Sequence, residues 1–181
     1  MSDPLAAACS RRYTATYHGP RRTLQDIRLI VLHSTEGRTA ESAARYFASP
    51  ERTGSAHFVI DADYCFRTLA PTWVAWAAPG ANHDGLHIEQ AGFAHWTREQ
   101  WLAAGVVERV SYRVAVWARL LGVPLRWLTD AQLRGGSARG LTTHAQVTRV
   151  FPGPHRDHWD PGPSYPRDLL LRRARYWSGR L

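Results

Sequence analysis

Residues Thr142–Pro166 constrain this 181-residue chain more than any other stretch. Within it, His158-Trp159-Asp160 runs directly into Pro161-Gly162-Pro163. Proline fixes φ and biases the residue before it toward an extended backbone. Asp160 is therefore held out on a stiff, non-helical segment, as a metal ligand needs to be. His144 adds an imidazole from the same stretch, after the glycine-rich run 135–140. A third ligand has to come from elsewhere, and the best candidate is His33, at the end of the apolar run Ile27–Leu32. Two imidazoles and one carboxylate make the open coordination set of a catalytic zinc.

The rest of the chain reads as alternating strands and helices. Ile27, Leu29, Ile30, Val31 and Leu32 form a buried central strand ending at His33. Thr39 starts a helix that ends before Pro50. Ala56–Ile60 and Tyr64–Leu69, joined by Asp61-Ala62-Asp63, read as a hairpin, and Trp73–Trp76 as a short strand. In the next strand Leu86 and Ile88 share one face, while His87 and Glu89 share the other. Two polar side chains side by side mark a face bordering a cleft. Thr97 with Gln100 forms a capping box. Ala103, Val106, Val107, Val110, Val114, Trp117 and Leu121 then repeat at three and four residues, predicting one helix over 97–121. The run 135–140 reads as a flexible loop, and a last helix starts near Pro166. This order predicts an α/β fold, a single domain with a mixed central β-sheet flanked by helices. The domain spans 25–181 and follows an N-terminal arm, 1–24.

Charge narrows the partners. The formal net charge is +8, and every basic side chain except histidine is arginine. Such a surface attracts polyanions, including anionic cell-wall polymers. No nucleic-acid-binding motif and no basic-aromatic sheet pattern is present, so nucleic acid is not an expected partner. Cys9 and Cys65 are too few and too far apart for a disulfide framework, and both read as free thiols, with Cys65 buried. No window approaches the ~20 apolar residues of a membrane span, so no membrane insertion is expected. Met1–Ser10 lacks the pattern of a signal peptide. The expectation is a monomer made in the cytoplasm.

Five motifs in one order resemble the type 2 N-acetylmuramoyl-L-alanine amidases. They are Leu32-His33-Ser34-Thr35, Ser55-Ala56-His57-Phe58-Val59-Ile60, Gly85-Leu86-His87-Ile88-Glu89, Thr143-His144 and His158-Trp159-Asp160-Pro161-Gly162, with Trp76 and its following loop between the second and third. The resemblance covers roughly residues 27–166. It implies a peptidoglycan recognition protein-like fold and a zinc-dependent hydrolase. The bond cut joins N-acetylmuramic acid to the L-alanine of the stem peptide. The short single-domain form and the basic charge look most like a phage endolysin, acting on the cell wall after release.

The same resemblance implies roles. His33, His144 and Asp160 match the zinc ligands, and Glu89 matches a catalytic glutamate found in part of the family. His158 stands where relatives often carry lysine, and its imidazole is expected to help stabilise the oxyanion. Ala56 stands where some phage relatives carry a catalytic tyrosine, which gives Glu89 more weight. His87, Trp76 and Trp159 are expected to line the substrate cleft, and His57 to be buried and hydrogen-bonded. The alternative reading is a peptidoglycan-binding protein without catalysis. Relatives of that kind typically lose the last zinc ligand, and Asp160 is retained here.

Overall fold

The computed structural model describes residues 9–151, 153 and 157–181. Five strands form one sheet: β1 (Leu29–Ser34), β2 (Phe58–Ile60), β3 (Cys65–Arg67), β4 (Gly85–Gln90) and β5 (Gly140–Thr143). Their spatial order is β3-β2-β4-β1-β5. β1 lies parallel to β4 and β5, and β2 parallel to β4. Among these five strands the β2–β3 hairpin is the antiparallel pair. β1 is buried along its whole length, as a strand covered on both faces must be. The expected mixed sheet flanked by helices is what the chain forms.

Among the described residues six α-helices cover it: α1 (Ala40–Ala48), α2 (Arg98–Ala103), α3 (Val106–Leu121), α4 (Asp130–Arg134), α5 (His144–Val150) and α6 (Arg167–Ser178). On one face Ile30, Leu32, Leu86 and Ile88 pack with Val110 and Val114 of α3 and Leu170 of α6. On the other, Leu29 and Val31 pack with Leu133 of α4 and Val147 of α5. Among the described residues no helix is long and apolar enough to cross a membrane.

The structure corrects four local expectations. The helix expected over 97–121 is two helices, because Gly105 adopts a left-handed φ of 69° between them. An apolar repeat that continues across the break conceals it. Trp73–Trp76 is not a strand; Trp73 makes only an isolated bridge with Arg21. The run 135–140 is not wholly loop, since Gly140 opens β5. The cysteines are not free thiols: Cys9 and Cys65 form a disulfide.

That bond straps the N-terminal segment to β3. Ser10 N–H donates to the Cys65 carbonyl and Arg67 N–H to the Ser10 carbonyl, both at 2.8 Å. The described part of the expected arm, 9–24, therefore lies against the domain, while residues 1–8 fall outside the described ones. The sequence separation of 56 gives a long closed loop, for which cross-linking stabilises by about 2–4 kcal/mol. Reduction, or a Cys9→Ser/Cys65→Ser double variant, is expected to lower the Tm by on the order of 10 °C. An unchanged thermal transition after verified reduction would show that the strap carries no stability.

Candidate metal centre and its cleft

Strand register decides which side chains meet at the rim of this sheet. β1 and β4 pair so that His33 stands opposite Glu89. β1 and β5 pair so that Leu32 stands opposite Thr143. His144 is the next residue, the first of α5, and so lies beside His33. The crevice at the carboxyl ends of parallel strands, where the strand order runs outward both ways, is the usual place for a site in such a sheet.

Asp160 arrives from the loop before α6. Its carbonyl accepts from Ala145 N–H at 2.9 Å, and its Oδ2 accepts from Ser34 N–H at 3.3 Å. Gly162 permits this approach. Its φ is +90°, and a Cβ there would lie 1.8 Å from the Ala94 carbonyl oxygen. Only glycine fits both conditions.

The three candidate ligands converge. His33 Nδ1 lies 3.2 Å from His144 Nδ1 and 3.3 Å from Asp160 Oδ2. His144 Nδ1 lies 3.0 Å from Asp160 Oδ1. Bonds of about 2.0–2.1 Å in tetrahedral geometry put zinc donors about 3.3 Å apart. The spacing and donor types therefore fit zinc. All three residues are buried.

Electrostatics favour the ligating forms. Burial holds the His33 pKa below its ordinary value, which keeps the imidazole neutral. For Asp160, burial pushes upward, but its close contacts with the His144 and His33 rings outweigh it and hold the carboxyl well below the usual range. Glu89 behaves in the opposite way. Burial raises its pKa well above the ordinary value, and the charges of Asp160 and Glu36 add to the effect. Its Oε1 is 3.9 Å from His33 Nδ1. Its Oε2 is buried with no hydrogen-bond partner among the described residues. A largely buried carboxyl with an unpartnered oxygen beside a candidate metal set is equipped to move a proton.

A cleft of about 660 Å³ opens here, lined in part by Glu36, Trp76, Glu89, His144, His158 and Asp160. His158 stacks on His144 with ring centroids 4.2 Å apart. Its Nδ1 is 3.9 Å from Asp160 Oδ1, and its side chain is 46% exposed. Trp76 is 45% exposed in the cleft wall and stacks on Tyr17. Trp159 is half-exposed and lines a smaller adjoining pocket of about 130 Å³ rather than the main cleft.

His87 does not line the cleft as expected. It is fully buried, with Nδ1 3.0 Å from His33 Nε2. It shares a face with Glu89 but sits two residues, about 7 Å, further from the rim. His57 is buried and hydrogen-bonded: its Nδ1 accepts from His87 N–H at 3.0 Å, and its Nε2 is 3.0 Å from the Trp73 carbonyl. Burial first, then the Arg22 charge, lower the His57 pKa to about 3.

Sequence reasoning missed Glu36 and Arg22. Glu36 has a positive φ of 49°. Its Oε1 accepts from Ser34 Oγ at 2.7 Å and from Ala94 N–H at 2.8 Å. Nothing in the motif after His33 marks it. Arg22 is buried and donates to the carbonyls of Pro71 and Gly85. Its place in a polar N-terminal stretch hid it.

The sequence matches a family described as N-acetylmuramoyl-L-alanine amidase over residues 23–163. The fold is similar to that of the Staphylococcus aureus hydrolase AmiA, at 18% identity and a TM-score of 0.72, covering 96% of this chain and 84% of that one. It is also similar to the catalytic domain of XlyA, at 15% identity and a TM-score of 0.63, covering 93% and 99%. A mutant endolysin from Bacillus subtilis aligns at 16% identity and a TM-score of 0.58, covering 95% and 97%. Comparison with curated protein sequences gives no match.

Proposed function

The chain belongs to the N-acetylmuramoyl-L-alanine amidase family, and on that premise we propose that it is a zinc-dependent peptidoglycan hydrolase working as a phage endolysin. The bond cut is the amide between the lactyl group of N-acetylmuramic acid and the L-alanine of the stem peptide. The observation that carries this reading is the convergence of His33, His144 and Asp160 beside the open oxygen of Glu89 in one cleft.

His33, His144 and Asp160 would hold the zinc. When bound, zinc supplies a Lewis acid for the amide carbonyl and lowers the pKa of water. Glu89 takes the proton of the attacking water and returns it to the leaving nitrogen, a transfer suited to a carboxyl of raised pKa. His158, beside the ligand set, offers an N–H to the oxygen on which negative charge develops. Trp76 presents an aromatic face to the glycan, and Trp159 extends that surface past His158. A net charge of +8 favours approach to an anionic wall. The protein would be made in the cytoplasm, act as a monomer and reach the wall on release, without nucleic acid or membrane as a partner.

Binding without catalysis is the weaker reading, because the complete ligand set is retained. Mass spectrometry of digested cell wall separates the two. Digestion should release stem peptides with a new L-alanine amino terminus and leave glycan strands intact. New reducing sugar ends instead would make the protein a glycosidase, and no release at all would leave only binding.

A further inference from the structure

Behind the ligand set lies a chain of polar contacts that runs from a backbone carbonyl through His87 to His33. It starts at the Ala81 carbonyl oxygen, which can only accept. His87 Nε2 lies 3.2 Å from it. A neutral imidazole carries one N–H, and His87 is fully buried, which disfavours a second proton. The Ala81 carbonyl therefore places the single proton of His87 on Nε2. Nδ1 of His87 is left as an acceptor, 3.0 Å from His33 Nε2. His33 Nε2 is then placed to donate, against the competing pull of Asp160 Oδ2 on the same proton, and its Nδ1 is left bare. That atom is the one facing His144 and Asp160.

We infer that His87 is a positioning residue that sets the tautomer of His33, presenting the lone pair of His33 Nδ1 to the metal before the metal arrives. The surroundings are built for this. A Cβ at position 85 would lie 2.5 Å from the Ala81 carbonyl oxygen and 2.7 Å from His87 Nε2, so glycine at 85 keeps that contact open. The His87 backbone is anchored in turn, its N–H donating to His57 Nδ1 at 3.0 Å. Nε2 of His57 lies 3.0 Å from the Trp73 carbonyl and 2.9 Å from Arg22 Nη2, which fixes the ring from its other side. Without His87 as acceptor, His33 is free to carry its proton on Nδ1, the form that cannot ligate. Groups that orient a ligating histidine commonly contribute 10–100-fold in metal affinity.

This inference rests on the proposed metal reading, and the tests separate the two. The first is ¹⁵N-resolved NMR of the histidine rings in the protein with zinc bound and again after zinc is removed. His87 should carry its proton on Nε2; a proton on Nδ1 overturns the inference. The second is zinc competition against a chromogenic chelator, with folding checked by circular dichroism. His87→Leu removes the acceptor and should weaken zinc binding by about 10–100-fold. His87→Asn keeps an oxygen near the place of Nδ1 and should bind zinc nearly as the wild type does. Wild-type affinity in His87→Leu, or equal weakening in both variants, overturns the inference. A wild-type protein that binds no zinc defeats the metal reading instead, while the His87 tautomer stays measurable on its own.

Discussion

Removing zinc with a strong chelator is expected to abolish hydrolysis of purified cell wall, and about one equivalent of added zinc should restore it. The expectation follows from how the donors are held. Register places His33 and His144 side by side, and Ser34 and Ala145 hold Asp160 against them. Burial favours neutral His33, and contacts with the two imidazoles keep Asp160 ionised, so the set is ready for a dication at neutral pH. Without the cation no strong electrophile stands near the amide carbonyl. Glu89 alone contributes only the ~10²–10⁴-fold of a general base. Turbidity of wall suspensions, read with elemental analysis of the same samples, checks the result. Activity that survives complete metal removal sinks the hydrolase mechanism.

Glu89→Gln should lower wall hydrolysis by roughly 10²–10⁴-fold with zinc content unchanged. Glutamine keeps the size of the side chain but cannot take a proton. In the native protein that proton would go to a carboxyl whose pKa is raised by burial, Asp160 and Glu36. One of its oxygens has no hydrogen-bond partner among the described residues, so substitution breaks little structure. Turnover near the wild-type level would return Glu89 to a structural role. Loss of zinc from the variant would instead make it part of the ligand environment.

The strand ends were legible because each carries a local signal. An apolar run stops at His33, alternation pairs His87 with Glu89, and Pro161 follows Asp160. Depth below the rim was not legible. His87 and Glu89 share a face, yet only Glu89 reaches the cleft, since exposure at a strand's end depends on the loop that closes over it. Here residues near Ala81 cover His87. Register was equally hidden, because β5 is four residues long and opens from a glycine-rich run. α4 did carry a signal, the Thr129–Gln132 capping box. The Cys9–Cys65 bond could not be foreseen from spacing, because it depends on the N-terminal segment running beside β3.

The strand order also bears on how the fold and the ion depend on each other. His33 and His144 are 111 positions apart, and Ser34 and Asp160 are 126 apart. In a denatured chain, closing a loop of that length costs about 4 kcal/mol. No short fragment of the chain holds the donor set, so the unfolded ensemble competes poorly for zinc. An ion bound at this rim discriminates between the folded and unfolded chain. At a hundredfold excess over its Kd it adds about 2.7 kcal/mol to stability by mass action. With the proposed ion bound, the β1 junction would make ion occupancy and global folding a single linked equilibrium. Local damage to β5 or to the Asp160 loop would be felt as lost resistance to unfolding as well as lost chemistry.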